Sequence, residues 1–88
     1  MLKISKIASL DHEVTLRLDG HVIGAGVQLL RESAEGVLDC GERLTLDLGN
    51  IHFIDCDGVV LIKKLLDRGV SQVNTPLFVA EQIKKCES

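Results

Sequence analysis

The stretch FIDCDGVVLI, residues 53–62, joins the two kinds of periodicity that determine the fold of this 88-residue chain. Before it, apolar residues alternate with polar ones, which is typical of a β-strand with one buried face. After it, apolar residues recur at the spacing of an amphipathic helix, at Val59, Ile62, Leu65 and Leu66. The acidic residues between these patterns predict a turn. The stretch is therefore interpreted as a strand end, an acidic turn and the start of a helix.

The same letters also resemble the Asp-x-Asp-Gly-Val motif of haloacid-dehalogenase-like phosphatases. There the first carboxylate attacks phosphorus and the second handles the proton of the leaving group. Such an enzyme also needs a downstream Ser or Thr, a Lys and further acidic residues for magnesium. After Asp57, however, Asp67 is the only acidic residue before Glu81, and the motif lies past the middle of the chain. We therefore predict no catalytic residues and no enzymatic activity.

The composition predicts a single domain, residues 1–88, with an aliphatic core. Hydrophobic residues make up 45% of the chain and charged residues 26%, which is typical of globular proteins. Because the chain has two Phe and neither Trp nor Tyr, it lacks an aromatic platform for stacking bases. The net charge of −3 also argues against binding to nucleic acid or to an anionic membrane, since both require a basic patch.

The cysteines and the absence of long apolar runs indicate a cytoplasmic protein. Cys40, Cys56 and Cys86 are odd in number and show no Cys-x-x-Cys spacing, so we expect reduced thiols and no metal site. No stretch is apolar and long enough to predict a signal peptide or a membrane span. We also predict no cofactor, since the sequence contains no convincing phosphate-binding loop.

Four strands are predicted from alternation with a period of two. They lie near residues 2–5, 14–18, 43–48 and 70–73, and the third has the clearest pattern. Asp19-Gly20 is a turn signal, which predicts the end of the second strand.

Three helices are predicted near residues 22–39, 57–68 and 76–86. Gly24 and Gly26 predict an irregular first turn in the first helix, because glycine weakens a helix. Thr75 and Pro76 predict the start of the last helix, with Thr75 as its N-cap. The order β-β-α-β-α-β-α places the chain in the α/β class, as a four-stranded mixed sheet with helices packed against it.

Residues 46–59, LDLGNIHFIDCDGV, resemble the signature of the STAS family. This family comprises the anti-sigma-factor antagonists and the cytoplasmic domains of sulfate transporters. Its members typically show a strand, a short turn, an apolar residue, Ile-Asp-Ser-Ser-Gly and then a helix. The resemblance covers nearly the whole chain, because the two N-terminal strands, the segment Leu18-Asp19-Gly20 and residues 74–79 fall where the STAS fold expects them.

The resemblance implies a regulated protein–protein contact. In the anti-sigma-factor antagonists, a partner kinase phosphorylates the second Ser of the motif at a helix N-terminus, and phosphate turns binding off. A phosphate adds about −1.5 to −2 charge to the contact surface. The implied partner is an anti-sigma factor or kinase-like protein, or a component of a signalling or transport complex.

This chain departs from the family motif at the residues that would be switched. Asp55 and Gly58 match, whereas Cys56 replaces the first Ser and Asp57 replaces the second. Since Asp57 has no hydroxyl and already carries a charge, the switch is absent or fixed near its charged setting. Ile23 stands where the family often carries an Asp. Three roles stay open for Asp57: a helix cap, an interface position with a fixed charge, or a phospho-acceptor aspartate.

Our leading hypothesis is a non-catalytic, STAS-like protein-interaction domain of the bacterial cytoplasm. It binds its partner through Asp55-Cys56-Asp57-Gly58 and the helix that follows. Two alternatives stay open: a small-ligand-binding module, with a pocket between the helix N-termini near residues 20–26 and 57–58, or an accessory subunit of a transport complex. The sequence leaves self-association undecided.

Overall fold

The structure is a computed structural model that describes residues 2–8 and 11–85, and it confirms the predicted order of elements. The strands in these residues are β1 (Leu2–Ala8), β2 (Glu13–Val22), β3 (Arg43–Ile54) and β4 (Ser71–Val73). The helices are α1 (Ala25–Asp39), α2 (Cys56–Asp67) and α3 (Leu77–Lys85). None of these helices is long and apolar enough to cross a membrane.

The four strands form one mixed sheet in the order β1-β2-β3-β4. β1 pairs antiparallel with β2, whereas β2–β3 and β3–β4 are parallel pairs. Parallel neighbours need a crossover connection, and α1 and α2 provide the two crossovers. The carboxyl ends of β2 and β3 therefore lie side by side, each leading directly into the N-terminus of a helix.

One aliphatic core joins the sheet to the helices. Alternate residues of β2 and β3 are buried in it, and so is the apolar stripe of α1. The strand residues are Val14, Leu16, Leu18, Leu44, Leu46 and Leu48, and the helix residues are Val27, Leu30, Ala34 and Val37. The intervening strand residues, such as Arg17 and Asp47, are polar and lie on the other face of the sheet.

The prediction that β2 ends at Asp19-Gly20 is wrong, and β3 also extends beyond residue 48. β2 continues to Val22 and β3 to Ile54, with Val22 paired to Ile54. The register between β2 and β3 shifts at two places, between Arg17 and Asp19 and between Gly20 and His21. Such irregularities accommodate turn-forming residues without ending the strand, so the pairing continues. Asn50 Nδ2 donates a hydrogen bond of 2.7 Å to Asp19 Oδ1 across this region. This polar pair links the two strands where the sequence predicted a break.

The helix starts also differ from the sequence prediction. α1 begins at Ala25, not at residue 22, because Val22 still belongs to β2 and Gly24 has a positive φ of 53°. The expected irregular entry into α1 is therefore present, but it lies before the helix. The Thr75 hydroxyl donates to Gln72 Oε1 at 2.8 Å. The Pro76 carbonyl accepts hydrogen bonds from the amides of Val79 and Ala80, the third and fourth residues of α3. The predicted end of α3 at residue 86 lies outside the described residues.

Candidate functional site

The N-terminus of α2 follows β3 with a single intervening residue, Asp55. Its backbone is extended, with φ −95° and ψ 179°, so the chain leaves the strand and enters the helix in one step. Asp55 Oδ1 accepts a hydrogen bond of 2.8 Å from the Gly58 amide, and the Asp55 carbonyl accepts one of 2.9 Å from the Val59 amide. Since the side chain satisfies an amide that has no partner within the helix, Asp55 is the N-cap of α2.

The hypothesis that Asp57 caps this helix is therefore wrong. Asp57 is the second residue of α2, and its side chain is exposed. Within residues 2–8 and 11–85, its carboxylate has no hydrogen-bond or ion-pair partner, whereas the Asp55 carboxylate is half-buried and bonded. A negative charge in the first turn interacts favourably with the helix dipole, but that interaction does not require a contact. The other two roles, an interface position with a fixed charge and a phospho-acceptor aspartate, stay predictions.

The cap predicts a difference between two substitutions of Asp55. Asp55→Ala removes the acceptor and is expected to lower the free energy of unfolding by about 0.5–2 kcal/mol. Asp55→Asn keeps a side-chain oxygen at the same place and should stay within a few tenths of a kcal/mol of the wild type, because Asn and Asp are comparable N-caps. Urea denaturation followed by circular dichroism measures both. Equal losses for both variants would show that charge, not the hydrogen bond, is what matters.

Gly58 allows α2 to touch the end of β2. A Cβ built on Gly58 would lie 2.7 Å from the Val22 carbonyl oxygen and 2.8 Å from Ile54 Cγ1, both closer than side-chain atoms approach. The Asp55 amide also donates to the Val22 carbonyl at 3.3 Å. Only glycine permits this approach, and it brings the loop after Val22 beside the N-terminus of α2.

As a result, Asp57 borders an open cleft of about 440 Å³ between α1 and α2. The cleft is lined by Gly24, Val27, Gln28, Arg31, Asp57, Val60 and Lys64. Gly24 and Asp57 thus lie together, as the ligand-binding alternative required. The lining combines one carboxylate, two cationic side chains and the exposed side chain of Val60, which is 38% accessible.

Cys56 and Asp55 face a different groove. This groove has a volume of about 510 Å³ and is mainly apolar, with Phe53, Ile54, Asp55, Cys56, Val59, Gln82 and Lys85 as its lining. Phe53 is 52% exposed, and its ring meets His21 edge-on with the centroids 6.4 Å apart. Asp55 and Cys56 therefore line one surface and Asp57 lines another, and the two meet at the start of α2. Gly58, the fourth predicted site residue, is buried against the end of β2.

The sequence did not identify Phe53 and Val60 as surface residues. Both belong to apolar runs that predict burial, yet together with Ile23 they are exposed around the N-terminus of α2. A group of exposed apolar side chains beside charged ones is typical of a protein contact surface. The signal that could have revealed Val60 is that it does not belong to the helical spacing Val59, Ile62, Leu65 and Leu66, which predicts the buried side of α2.

Among residues 2–8 and 11–85 there is no group of three His, Cys, Asp or Glu side chains that could hold a metal ion. Cys40 and Cys56 are exposed free thiols. The prediction for the third thiol, Cys86, lies outside the described residues.

Comparisons with known proteins agree with the architecture. A family model described as the STAS domain matches residues 4–81. Among solved structures, the chain is similar to the anti-sigma factor antagonist SpoIIAA in its unphosphorylated form, with a TM-score of 0.76 and 14% sequence identity. The alignment covers 93% of this chain and 82% of that one, and at this identity it shows the fold alone. A search of curated proteins found no match.

Proposed function

The chain belongs to the STAS domain family, and we propose from this that it is a non-catalytic protein-interaction domain resembling the anti-sigma-factor antagonists. Its contact surface centres on Asp55-Cys56-Asp57-Gly58 and on the exposed side chains around them. In this proposal Asp57 occupies the place of the phosphorylated serine, so the protein is not switched by serine phosphorylation there. The protein acts in the bacterial cytoplasm on a signalling or transport partner.

One observation carries the proposal: the fold uses Asp55 but not Asp57. Asp55 caps α2, so the helix start is complete without a second acceptor. The Asp57 carboxylate is exposed and unpaired within residues 2–8 and 11–85. A charge that no described residue pairs with is available to a partner, and the regular backbone of α2 fixes the position of its Cα.

The surroundings of Asp57 favour a protein partner over a small ligand. Ile23, Phe53 and Val60 are 36%, 52% and 38% exposed, so the surface has apolar area to bury against another protein. Arg31 and Lys64 line the cleft beside Asp57 and supply the polar rim that protein interfaces typically have. The open shape of the cleft also offers little enclosure, whereas small-molecule sites bury most of their ligand.

The fixed charge has a direct consequence for regulation. A serine at this position alternates between an uncharged hydroxyl and a phosphate with about −1.5 to −2 charge. Asp57 has no hydroxyl to be phosphorylated, and the single charge of a carboxylate lies between those two states. The protein therefore presents one constant surface, and its partner recognises that surface without a kinase step.

The test is a binding comparison in which only residue 57 changes. The partner is purified with the tagged protein from its native cell and identified by mass spectrometry. Wild type, Asp57→Ser and Asp57→Ala are then titrated against the purified partner by calorimetry. We expect both substitutions to change Kd by about tenfold, which corresponds to a change of about 1.4 kcal/mol in the electrostatic interaction with the partner. A partner that recognises the uncharged hydroxyl binds Asp57→Ser more tightly, and one that recognises the acid prefers the wild type.

Asp67→Ser is the matched control for this experiment. Asp67 is also an exposed aspartate of α2, but it lies at the other end of the helix. Removing it changes the net charge by the same amount, so a general electrostatic effect would appear in both variants. We expect Asp67→Ser to change Kd by less than about twofold, since exposed charges outside an interface contribute little. Equal Kd values for all four proteins would contradict the proposed surface.

A further inference from the structure

β1 is an edge strand with an open side. It pairs with β2 along seven residue positions, and among the described strands no other one pairs with it. Its outward-facing amide and carbonyl groups are therefore a template for another strand. The opposite edge of the sheet is β4, which has three residues. One edge is thus long enough for stable pairing, and the other is too short.

A groove runs along this edge between β1 and α1. Its volume is about 510 Å³, and its lining is Ile4, Lys6, Leu16, Leu29, Glu32, Ser33, Gly36 and Val37. Leu29 is 45% exposed on the groove side of α1. A seven-residue strand is about 24 Å long and a fifteen-residue helix about 22 Å, so β1 and α1 have nearly the same length along this edge.

No contact among the described residues requires a glycine at position 36. It lies inside α1, where glycine weakens a helix, and a Cβ at this position would meet no atom within 4 Å beyond its own helical backbone. Gly26 in the same helix differs, because a Cβ there would lie 3.2 Å from both the His21 carbonyl oxygen and Leu2 Cβ. Gly26 is explained by packing inside the chain, whereas Gly36 leaves space for something outside it.

We propose that a second copy of this chain fills that space, in a two-fold symmetric dimer. β1 of one copy pairs antiparallel with β1 of the other, and the two α1 helices pack across the axis through Leu29, Ser33 and Gly36. The dimer does not use residues 55–58, so it is independent of the proposed partner surface.

Two features favour a second copy over a strand of an unrelated protein: the charges that line the groove, and the short strands at which the joined sheet would end. Lys6 and Glu32 line the same groove, and a two-fold axis repeats them on the opposite side, so each lysine can meet a carboxylate of the other copy. The joined sheet would have eight strands and would end on both sides at the three-residue β4. It therefore stops at two copies. Stable interfaces bury about 800 Å² per partner, which requires both the strand edge and the helix face.

Sedimentation equilibrium of the purified chain, from about 1 µM to about 1 mM, tests the proposal. We expect a monomer–dimer equilibrium in the wild type. Leu29→Lys should raise its Kd at least about tenfold, because it places a charge where the helices cross. Leu77→Lys is the matched control: Leu77 is 80% exposed on α3, and the same substitution there should leave the Kd unchanged. A wild type that stays monomeric throughout, or a Leu29→Lys variant that dimerises as tightly, overturns the proposal.

Gly36→Gln separates the dimer from a purely structural role of the glycine. Glutamine is the better helix former, so the unfolding midpoint should rise at concentrations where the monomer predominates. Its side chain occupies the space left for the second helix, so the dimer Kd should rise as well. Opposite changes in monomer stability and in association support the proposal. A more stable monomer with an unchanged Kd excludes Gly36 from the interface and overturns the helix packing proposed here.

Discussion

Gly58→Ala is expected to lower the free energy of unfolding by about 1–3 kcal/mol, although alanine is the better helix former by up to about 1 kcal/mol. The added Cβ would lie 2.7 Å from the Val22 carbonyl oxygen, which is part of the β2 backbone and cannot rotate away. Ile54 Cγ1, at 2.8 Å, closes the other side. Helix α2 must therefore move away from the sheet. Urea denaturation, analysed by linear extrapolation, measures the loss.

Gly36→Ala is the matched control for this prediction. Both glycines lie in helices, where alanine is the better helix former, but a Cβ at Gly36 meets no described atom within 4 Å beyond its own helical backbone. We expect Gly36→Ala to raise the free energy of unfolding by about 0.5–1 kcal/mol at low protein concentration. The two substitutions should therefore have opposite signs. If Gly58→Ala were also stabilising, the close contact between α2 and β2 could not be what fixes the helix.

Ile62→Ala is expected to have the largest effect in α2, a loss of about 2–5 kcal/mol. The Ile62 side chain is fully buried in the core between α2 and the sheet. Removing three of its carbon atoms leaves a cavity that neighbouring side chains fill only partly. The energetic cost of this cavity adds to the transfer free energy that is lost with the removed atoms. The same urea experiment measures it, with thermal unfolding as an independent check.

Val60→Ala provides the comparison on the same helix. Val60 is 38% exposed and faces the cleft beside Asp57, so its truncation should change the free energy of unfolding by no more than about 0.5 kcal/mol. In the proposed function, however, its methyl groups contact the partner, and the variant should bind that partner more weakly. A large loss of stability in Val60→Ala would mean that this apolar side chain serves the fold, which would remove it from the proposed contact surface.

Asp55 therefore serves the fold, whereas Asp57 serves the proposed function. Asp55 holds the helix start by accepting the Gly58 amide, whereas Asp57 contributes a charge that no described residue neutralises. Substitutions at these positions should therefore separate cleanly: Asp55→Ala changes stability, and Asp57→Ser changes affinity. In the proposal, the position at which relatives carry a phosphorylated serine is a fixed feature of the surface.

The sequence by itself determined the order of the elements and the family. The change from a period of two to a helical period on either side of residues 55–58 is a local pattern, and it depends only on which side chains must be buried. The STAS signature in residues 46–59 is likewise local, and the family match over residues 4–81 confirms it. Each such signal lies within one short stretch of the chain, so no knowledge of the packing is needed to recognise it.

Only the tertiary structure decided which residue does what. The extension of β2 to Val22 and of β3 to Ile54 depends on pairing between strands about thirty residues apart, which overrides the local turn signal at Asp19-Gly20. The roles of Gly58 and Gly36 differ because a Cβ at Gly58 would meet the Val22 carbonyl, whereas one at Gly36 would meet no described atom outside its own helix. Burial, capping and close approach are set by distances between segments far apart in the sequence, and those distances exist only once the sheet and helices have packed together.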